Sequence, residues 1–178
     1  MKHAALVRRQ LSVRTIMNLL GPCVNPARPP VQLLGVADPK MLRRVAQVLA
    51  ALGVEQALVV HGGGLDEVAL HAETRAVRLH GGELEELVLT PEMAGCTRTA
   101  LQALEGGDPA VNAARLRAVL VGKGSAPEQQ AVALNAGALL WTAGRAADLR
   151  EGTAMAMDAL RSGAAGQVLA AFAEASRG

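Results

Sequence analysis

The 178-residue chain is nearly devoid of aromatic side chains, with one Trp, one Phe and no Tyr. Proteins that hold single-stranded nucleic acid stack bases on such rings, so that class loses its platform here. No block of like charge runs beyond two residues, and 18 basic against 16 acidic side chains leave a net charge of +2. That balance singles out no polyanionic partner, and no nucleic acid is expected. Cys23 and Cys96 lack the C-x-x-C spacing of a zinc knuckle or redox pair and are too few for a disulfide framework, so they read as reduced thiols. No apolar run approaches the roughly 18 residues of a membrane helix, and the basic start, Met1 to Arg9, has no apolar stretch fit for a signal peptide. A soluble, cytoplasmic protein without a membrane partner is the expectation. The P-loop pattern G-x-x-x-x-G-K-[ST] and the dinucleotide pattern G-x-G-x-x-G are both missing.

What the chain does have is 51% hydrophobic residues, enough to bury a core in one domain with some appended structure. Apolar side chains at Leu6, Val7, Leu11, Ile16, Met17, Leu19 and Leu20 predict two short helices, broken near Ser12 and Val13. Gly21-Pro22 and the stretch Asn25 to Pro30 end that pattern and mark a boundary. Val31 to Val36 then reads as a buried strand. Asp38-Pro39 supplies an N-cap and a proline at the first helical position, opening a helix to about Leu52 with Leu42, Val45, Leu49 and Leu52 on one face. A second apolar strand, Ala57 to Val60, runs into His61-Gly62-Gly63-Gly64. Strand, helix, strand and glycine loop is the order of a parallel βαβ unit, whose ligands sit beyond the carboxyl ends of the strands.

Two further strands, Ala76 to Leu79 and Glu83 to Leu89, flank His80-Gly81-Gly82 as a hairpin. Asp108-Pro109 starts another helix, to about Val121, with Leu116, Val119 and Leu120 inward. From Pro127 the chain reads as helical, with Val132, Ala136, Leu139, Leu140 and Ala143 as one face and further helices near 152–161 and 164–175.

The local run richest in chemistry is Val59 to Glu67, where a strand delivers three glycines and then two adjacent carboxylates, Asp66 and Glu67. Glycine allows close backbone approach to a ligand, and neighbouring carboxylates can hold Mg²⁺ while substrate phosphates complete its octahedron. A glycine turn bearing two solvated acids is the plainer reading of the same residues. Arg8, Arg9 and Arg14 suit two-point recognition of a carboxylate, or else form an exposed basic helix face. His3, His61, His71 and His80 have no metal-ligand spacing and no neighbouring nucleophile, and read as structural or surface residues. Asn135, alone on an apolar helix, reads as a packed amide.

The motifs taken together resemble one family. Arg14-Thr15-Ile16-Met17-Asn18-Leu19-Leu20-Gly21-Pro22 with Asn25-Pro26-Ala27 is similar to the segment R-T-x-[FM]-N-[LIV]-L-G-P-x-x-N-P of the anthranilate phosphoribosyltransferases. Leu34-Gly35-Val36, Val60 to Val68, Gly106-Gly107-Asp108 with Asn112, and Leu134-Asn135-Ala136 follow in the family's order and spacing. The resemblance implies an α/β fold, a mostly parallel sheet flanked by helices of the nucleoside phosphorylase and phosphoribosyltransferase kind. It places residues 1–28 as remnant helices of a small helical domain and residues 29–178 as part of the glycosyltransferase domain.

The implied reaction joins anthranilate to phosphoribosyl pyrophosphate (PRPP) in tryptophan biosynthesis, with Mg²⁺ as cofactor, Arg8 binding anthranilate, Asp66 and Glu67 binding the metal, and a homodimer as the family's state. No side chain of this chain is implied as a catalytic acid, base or nucleophile. The family's G-T-G-G-D, K-x-G-N-R, S-S and H-P-A segments have no counterpart here. The expectation is therefore a carboxy-terminal piece without transferase activity alone. The alternatives are half of a split enzyme, a non-catalytic interaction module of the same fold, or a relative such as a pyrimidine nucleoside phosphorylase or a noncatalytic nucleic-acid-binding protein, the last disfavoured by the few aromatics and modest charge.

Overall fold

The computed structural model describes Cys23 and residues 25–177. The two helices expected over residues 1–20, and with them Arg8, Arg9 and Arg14, lie outside the described residues. The chain enters the sheet as strand β1, Val31–Gly35, and passes through a 3-10 turn, Pro39–Met41, into helix α1, Leu42–Ala51. Asp38 caps that entry by accepting from the Lys40 amide at 3.0 Å, satisfying one of the backbone donors that a helix start leaves open. Strand β2, Gln56–Gly62, returns parallel to β1, with Leu33 opposite Leu58 and Gly35 opposite Val60.

Strands β3, Thr74–His80, and β4, Glu83–Leu89, complete a four-stranded sheet in the order β1-β2-β3-β4. Both of the later pairings are antiparallel. The expected α/β class holds, but the sheet is mixed, and parallel only between β1 and β2. The reason lies in the connections. A parallel neighbour to β2 would need a crossover, whereas the chain beyond Gly62 turns back at once and re-enters the sheet at Thr74 from the same end. The β3-β4 hairpin stands as the glycine pair predicts, with Gly81 and Gly82 both at positive φ.

Helix α1 covers one face of the sheet. Leu42, Val45, Ala46 and Leu49 recur at helical spacing and pack against Ala57, Val59, Val77 and Leu79. Leu52, expected on that face, falls just past the helix and is 55% exposed.

Four carboxy-terminal helices follow, α2, Pro109–Leu120; α3, Ala126–Thr142; α4, Leu149–Arg161; and α5, Ala164–Ala175; α3 and α4 cover the other face, and α2 and α5 pack against them. Leu134 and Ala138 of α3, with Leu149 of α4, meet Leu58, Val60 and Ala76 of the sheet. On α2, Val119 is buried as expected, but Leu116 is 48% exposed. The buried face of α3 is Ala133, Leu134, Gly137, Ala138 and Thr142, and not the Val132 to Ala143 stripe read from the sequence; Val132 and Leu139 are both exposed. This helix is apolar nearly all round, so periodicity cannot select a face. Small residues select it: a Cβ on Gly137 would run into the Thr153 backbone, and one on Gly152 into the Gly137 carbonyl, so α3 and α4 cross in near backbone contact.

Candidate functional site

At the carboxyl ends of the two parallel strands, β1 stops at Gly35 and β2 at Gly62. Gly62 and Leu65 exchange both backbone hydrogen bonds, at 2.9 Å each, around Gly63 and Gly64 with φ of +55° and +96°. Positive φ at both central positions is the type I′ hairpin turn, which glycine accepts without strain. The chain then folds over the strand ends. A Cβ on Gly35 would fall on the Asp66 carbonyl, and one on Gly62 would stand 2.5 Å from the Glu67 carbonyl. These two glycines let the Asp66-Glu67 backbone lie directly upon β1 and β2.

Three side chains pin this layer from beneath. Asn135 of α3 accepts from the Val68 amide and donates to the Val68 carbonyl, both at 2.9 Å, and donates again to Ala131 O at 3.1 Å. Thr74 Oγ1, fully buried, accepts from the Ala69 amide at 2.9 Å. His71 Nε2 pairs with the Gly63 carbonyl at 3.1 Å. A fourth contact, His61 Nδ1 with Val36 O at 2.8 Å, ties the end of β2 to the end of β1.

The layer so held presents Asp66 and Glu67 side by side and exposed to solvent. Loss of surrounding water, and then the neighbouring Asp66 charge, push the Glu67 carboxyl above the ordinary carboxylate range; His71 opposes the shift. Two like charges in a partly dried corner are in conflict, and a divalent cation between them removes it. Among the described residues no group of three or more His, Cys, Asp or Glu side chains could hold a metal by itself. The donor set thus fits Mg²⁺, which commonly keeps waters and takes one or two carboxylates plus phosphate oxygens, and does not fit a closed protein-only cage. Three surface cavities, of about 330, 610 and 730 Å³, are lined by other residues.

Of the histidines, His61 ties β2 to β1, His71 holds the turn and His80 is exposed at the hairpin tip; His3 lies outside the described residues. Asn135 is an amide with a definite task, which its place on an apolar helix signals only in part. Sequence reading missed Thr74, and it read His71 as structural without its partner, since each acts on a residue that only the turn brings near. Both cysteines are buried, and burial raises each thiol above its ordinary range. Beyond the site, Asn112 grips Gly107 N–H and C=O, both at 2.8 Å, shaping the entry to α2.

Known proteins resemble this chain in sequence and in fold. The model of the glycosyl transferase family, a/b domain, matches residues 1–166. The chain is 56% identical to an anthranilate phosphoribosyltransferase of Sorangium cellulosum (strain So ce56) over 177 residues, 99% of this chain and 51% of that relative. The crystal structure of anthranilate phosphoribosyltransferase from Thermus thermophilus superposes with a TM-score of 0.92 at 44% identity, over 100% of this chain and 53% of that one. The enzyme of the same name from Saccharomyces cerevisiae, solved in complex with PRPP and Mg, gives a TM-score of 0.84 at 26% identity, over 93% of this chain and 48% of that one. The chain spans about half the length of the curated relatives it matches.

Proposed function

Because the chain belongs to the glycosyl transferase family through its a/b domain, we propose that it forms one part of an anthranilate phosphoribosyltransferase acting in tryptophan biosynthesis in the cytoplasm. In this reaction the amino nitrogen of anthranilate bonds to ribose C1 of PRPP. The C1–O bond breaks with its electron pair leaving on diphosphate, and the amine loses a proton to water. The observation that carries the reading is the Asp66-Glu67 pair, folded over the ends of β1 and β2 by a glycine turn, in a chain whose relatives bear this activity.

Asp66 and Glu67 hold a Mg²⁺ ion, which when bound neutralises charge gathering on the departing diphosphate. Asn135, Thr74 and the close-packed glycines fix where the carboxylates stand, and positioning of this kind is the larger share of catalysis where little proton chemistry is needed. Arg8 pairs with the anthranilate carboxylate. The whole enzyme is a homodimer taking PRPP and anthranilate as substrates, and this chain alone does not complete the site.

The test is complementation. The chain is mixed with a separately produced part of the Sorangium cellulosum relative lying outside the matched stretch, and formation of phosphoribosyl anthranilate is followed by loss of anthranilate fluorescence. Turnover in the mixture but in neither part alone is expected. Turnover by this chain alone overturns the claim that it needs the remainder, and a stable but inactive complex favours a non-catalytic interaction module.

A further inference from the structure

The turn that carries the two carboxylates is ambiguous in its own sequence. A two-residue hairpin turn with glycine at both central positions is open to type I′ and to type II′. The two differ by a flip of the central peptide, here the one joining Gly63 to Gly64. The positive φ of +96° at Gly64 identifies the type I′ form, since type II′ has negative φ there. The Gly62 and Leu65 hydrogen bonds that close the turn are common to both forms and choose neither.

The oxygen of that central peptide is the Gly63 carbonyl, and His71 Nε2 lies 3.1 Å from it. The ring is packed so close that a Cβ on Gly63 would stand 2.7 Å from Nε2 and 2.5 Å from the Ala72 Cβ. A carbonyl only accepts, so Nε2 carries the proton. Among the described residues Nδ1 is buried without a partner, so Nε2 alone ties the ring to the turn. Flipping the peptide would turn the Gly64 N–H toward this same Nε2–H, donor against donor. His71 thus supplies the preference that Gly63 and Gly64 lack.

We propose that His71 is a positioning residue, whose Nε2–H holds the Gly63 carbonyl in the type I′ orientation and so sets how the Asp66 and Glu67 carboxylates are presented to a divalent cation. The inference rests on the reading of those carboxylates as Mg²⁺ ligands, but its first half, the orientation of the turn, is independent of any metal. Loss of a residue that orients ligands in this way typically weakens metal binding by about 10–100-fold.

The experiment uses the full chain in solution, with nuclear Overhauser contacts reporting the turn and Mn²⁺ as the probe of the carboxylates. The unsubstituted chain is expected to show a strong amide-to-amide contact between Gly63 and Gly64, the mark of the type I′ form. It is also expected to show broadening of the Asp66 and Glu67 amides by Mn²⁺. His71→Ala should replace the amide contact with a Gly63 Hα to Gly64 amide contact and weaken the Mn²⁺ effect about tenfold. His71→Gln, which can place an N–H where Nε2 stands, should restore both, a rescue that simple space-filling would not give. His71→Leu, filling the space without a donor, serves where the alanine variant does not fold and should behave like it. An unchanged amide contact in the variants lacking the donor, or a changed one with unaltered Mn²⁺ affinity, overturns the proposal. Absence of Mn²⁺ broadening in the unsubstituted chain would instead overturn the metal reading beneath it, and the turn contact would still decide what His71 holds.

Discussion

Asn135→Ala removes the side chain that bridges α3 to the folded-over layer of the site. The Val68 amide and carbonyl each lose a partner at 2.9 Å, and Val68 is only 3% exposed, so water reaches them poorly. At about 1–3 kcal/mol for each buried group left unsatisfied, less what relaxation recovers, the loss comes to about 2–4 kcal/mol. For a chain of this size each kcal/mol moves the melting temperature by about 2–4 °C, so a fall of roughly 4–16 °C is expected. Asn112→Ala provides the internal comparison. Asn112 grips one residue, Gly107, by the same two backbone groups at 2.8 Å, but in an exposed setting where water can replace it, and its loss should cost under about 1 kcal/mol. Thermal and urea unfolding, followed by fluorescence of Trp141, the only tryptophan, give both values. Equal losses for the two variants, or an Asn135→Ala loss below that of Asn112→Ala, would refute the argument that burial of the Val68 peptide makes this amide matter.

Gly35→Ala sets a methyl group on the Asp66 carbonyl and should lift the carboxylate layer off β1, lowering stability by about 1–3 kcal/mol; Gly53→Ala, with open space around it, should lose less, mainly through its positive φ, and unfolding midpoints compare the two. Glu67→Gln removes the charge conflict with Asp66: a carboxyl whose folded value is raised opposes folding above that value, so the substitution should raise the metal-free stability slightly at pH 7, by under about 1 kcal/mol given solvent screening, while weakening Mn²⁺ binding. Glu128 is held down to about 2 from an ordinary 4.5 by Ser125 and then Arg115, whose Nε lies 2.6 Å away. Its contribution is full above pH 4.5 and is lost as pH falls towards 2, so the acid-unfolding curve of Glu128→Gln should show a smaller decline across that window than that of the unsubstituted chain.

Much of this architecture can be read from residue order because several local signals agree. Asp38-Pro39 followed by Leu42, Val45 and Leu49 leaves little choice but a capped helix on a sheet, and His80-Gly81-Gly82 between alternating runs leaves little but a hairpin. The inward face of α3 could not be read because apolar residues surround that helix, and the decision falls to Gly137 meeting Gly152 from another helix. The direction of β3 against β2 was harder to read than the parallel β1-β2 pair or the β3-β4 hairpin. The link from Gly62 to Thr74 turns back at Gly63-Gly64, and its return is held by contacts to Gly35 and Asn135, which are distant in sequence and so do not show in the residue order. The Asp66-Glu67 pair stood out because chemistry-bearing residues follow glycines at a strand end. Its supports did not, since His71 acts through the turn that brings it beside Gly63, and Thr74 through a bond back to Ala69.

The central claim is that Asp66 and Glu67 hold the metal that assists loss of diphosphate. Its most direct test is the Mg²⁺ dependence of phosphoribosyl anthranilate formation by the complemented chain, unsubstituted and as Asp66→Asn and Glu67→Gln. The account predicts that each variant associates normally with the complementing part yet needs at least about tenfold more Mg²⁺ for half-maximal rate, the effect expected when a ligand to the ion is weakened. Mg²⁺ dependence identical to that of the unsubstituted chain in both variants would contradict it.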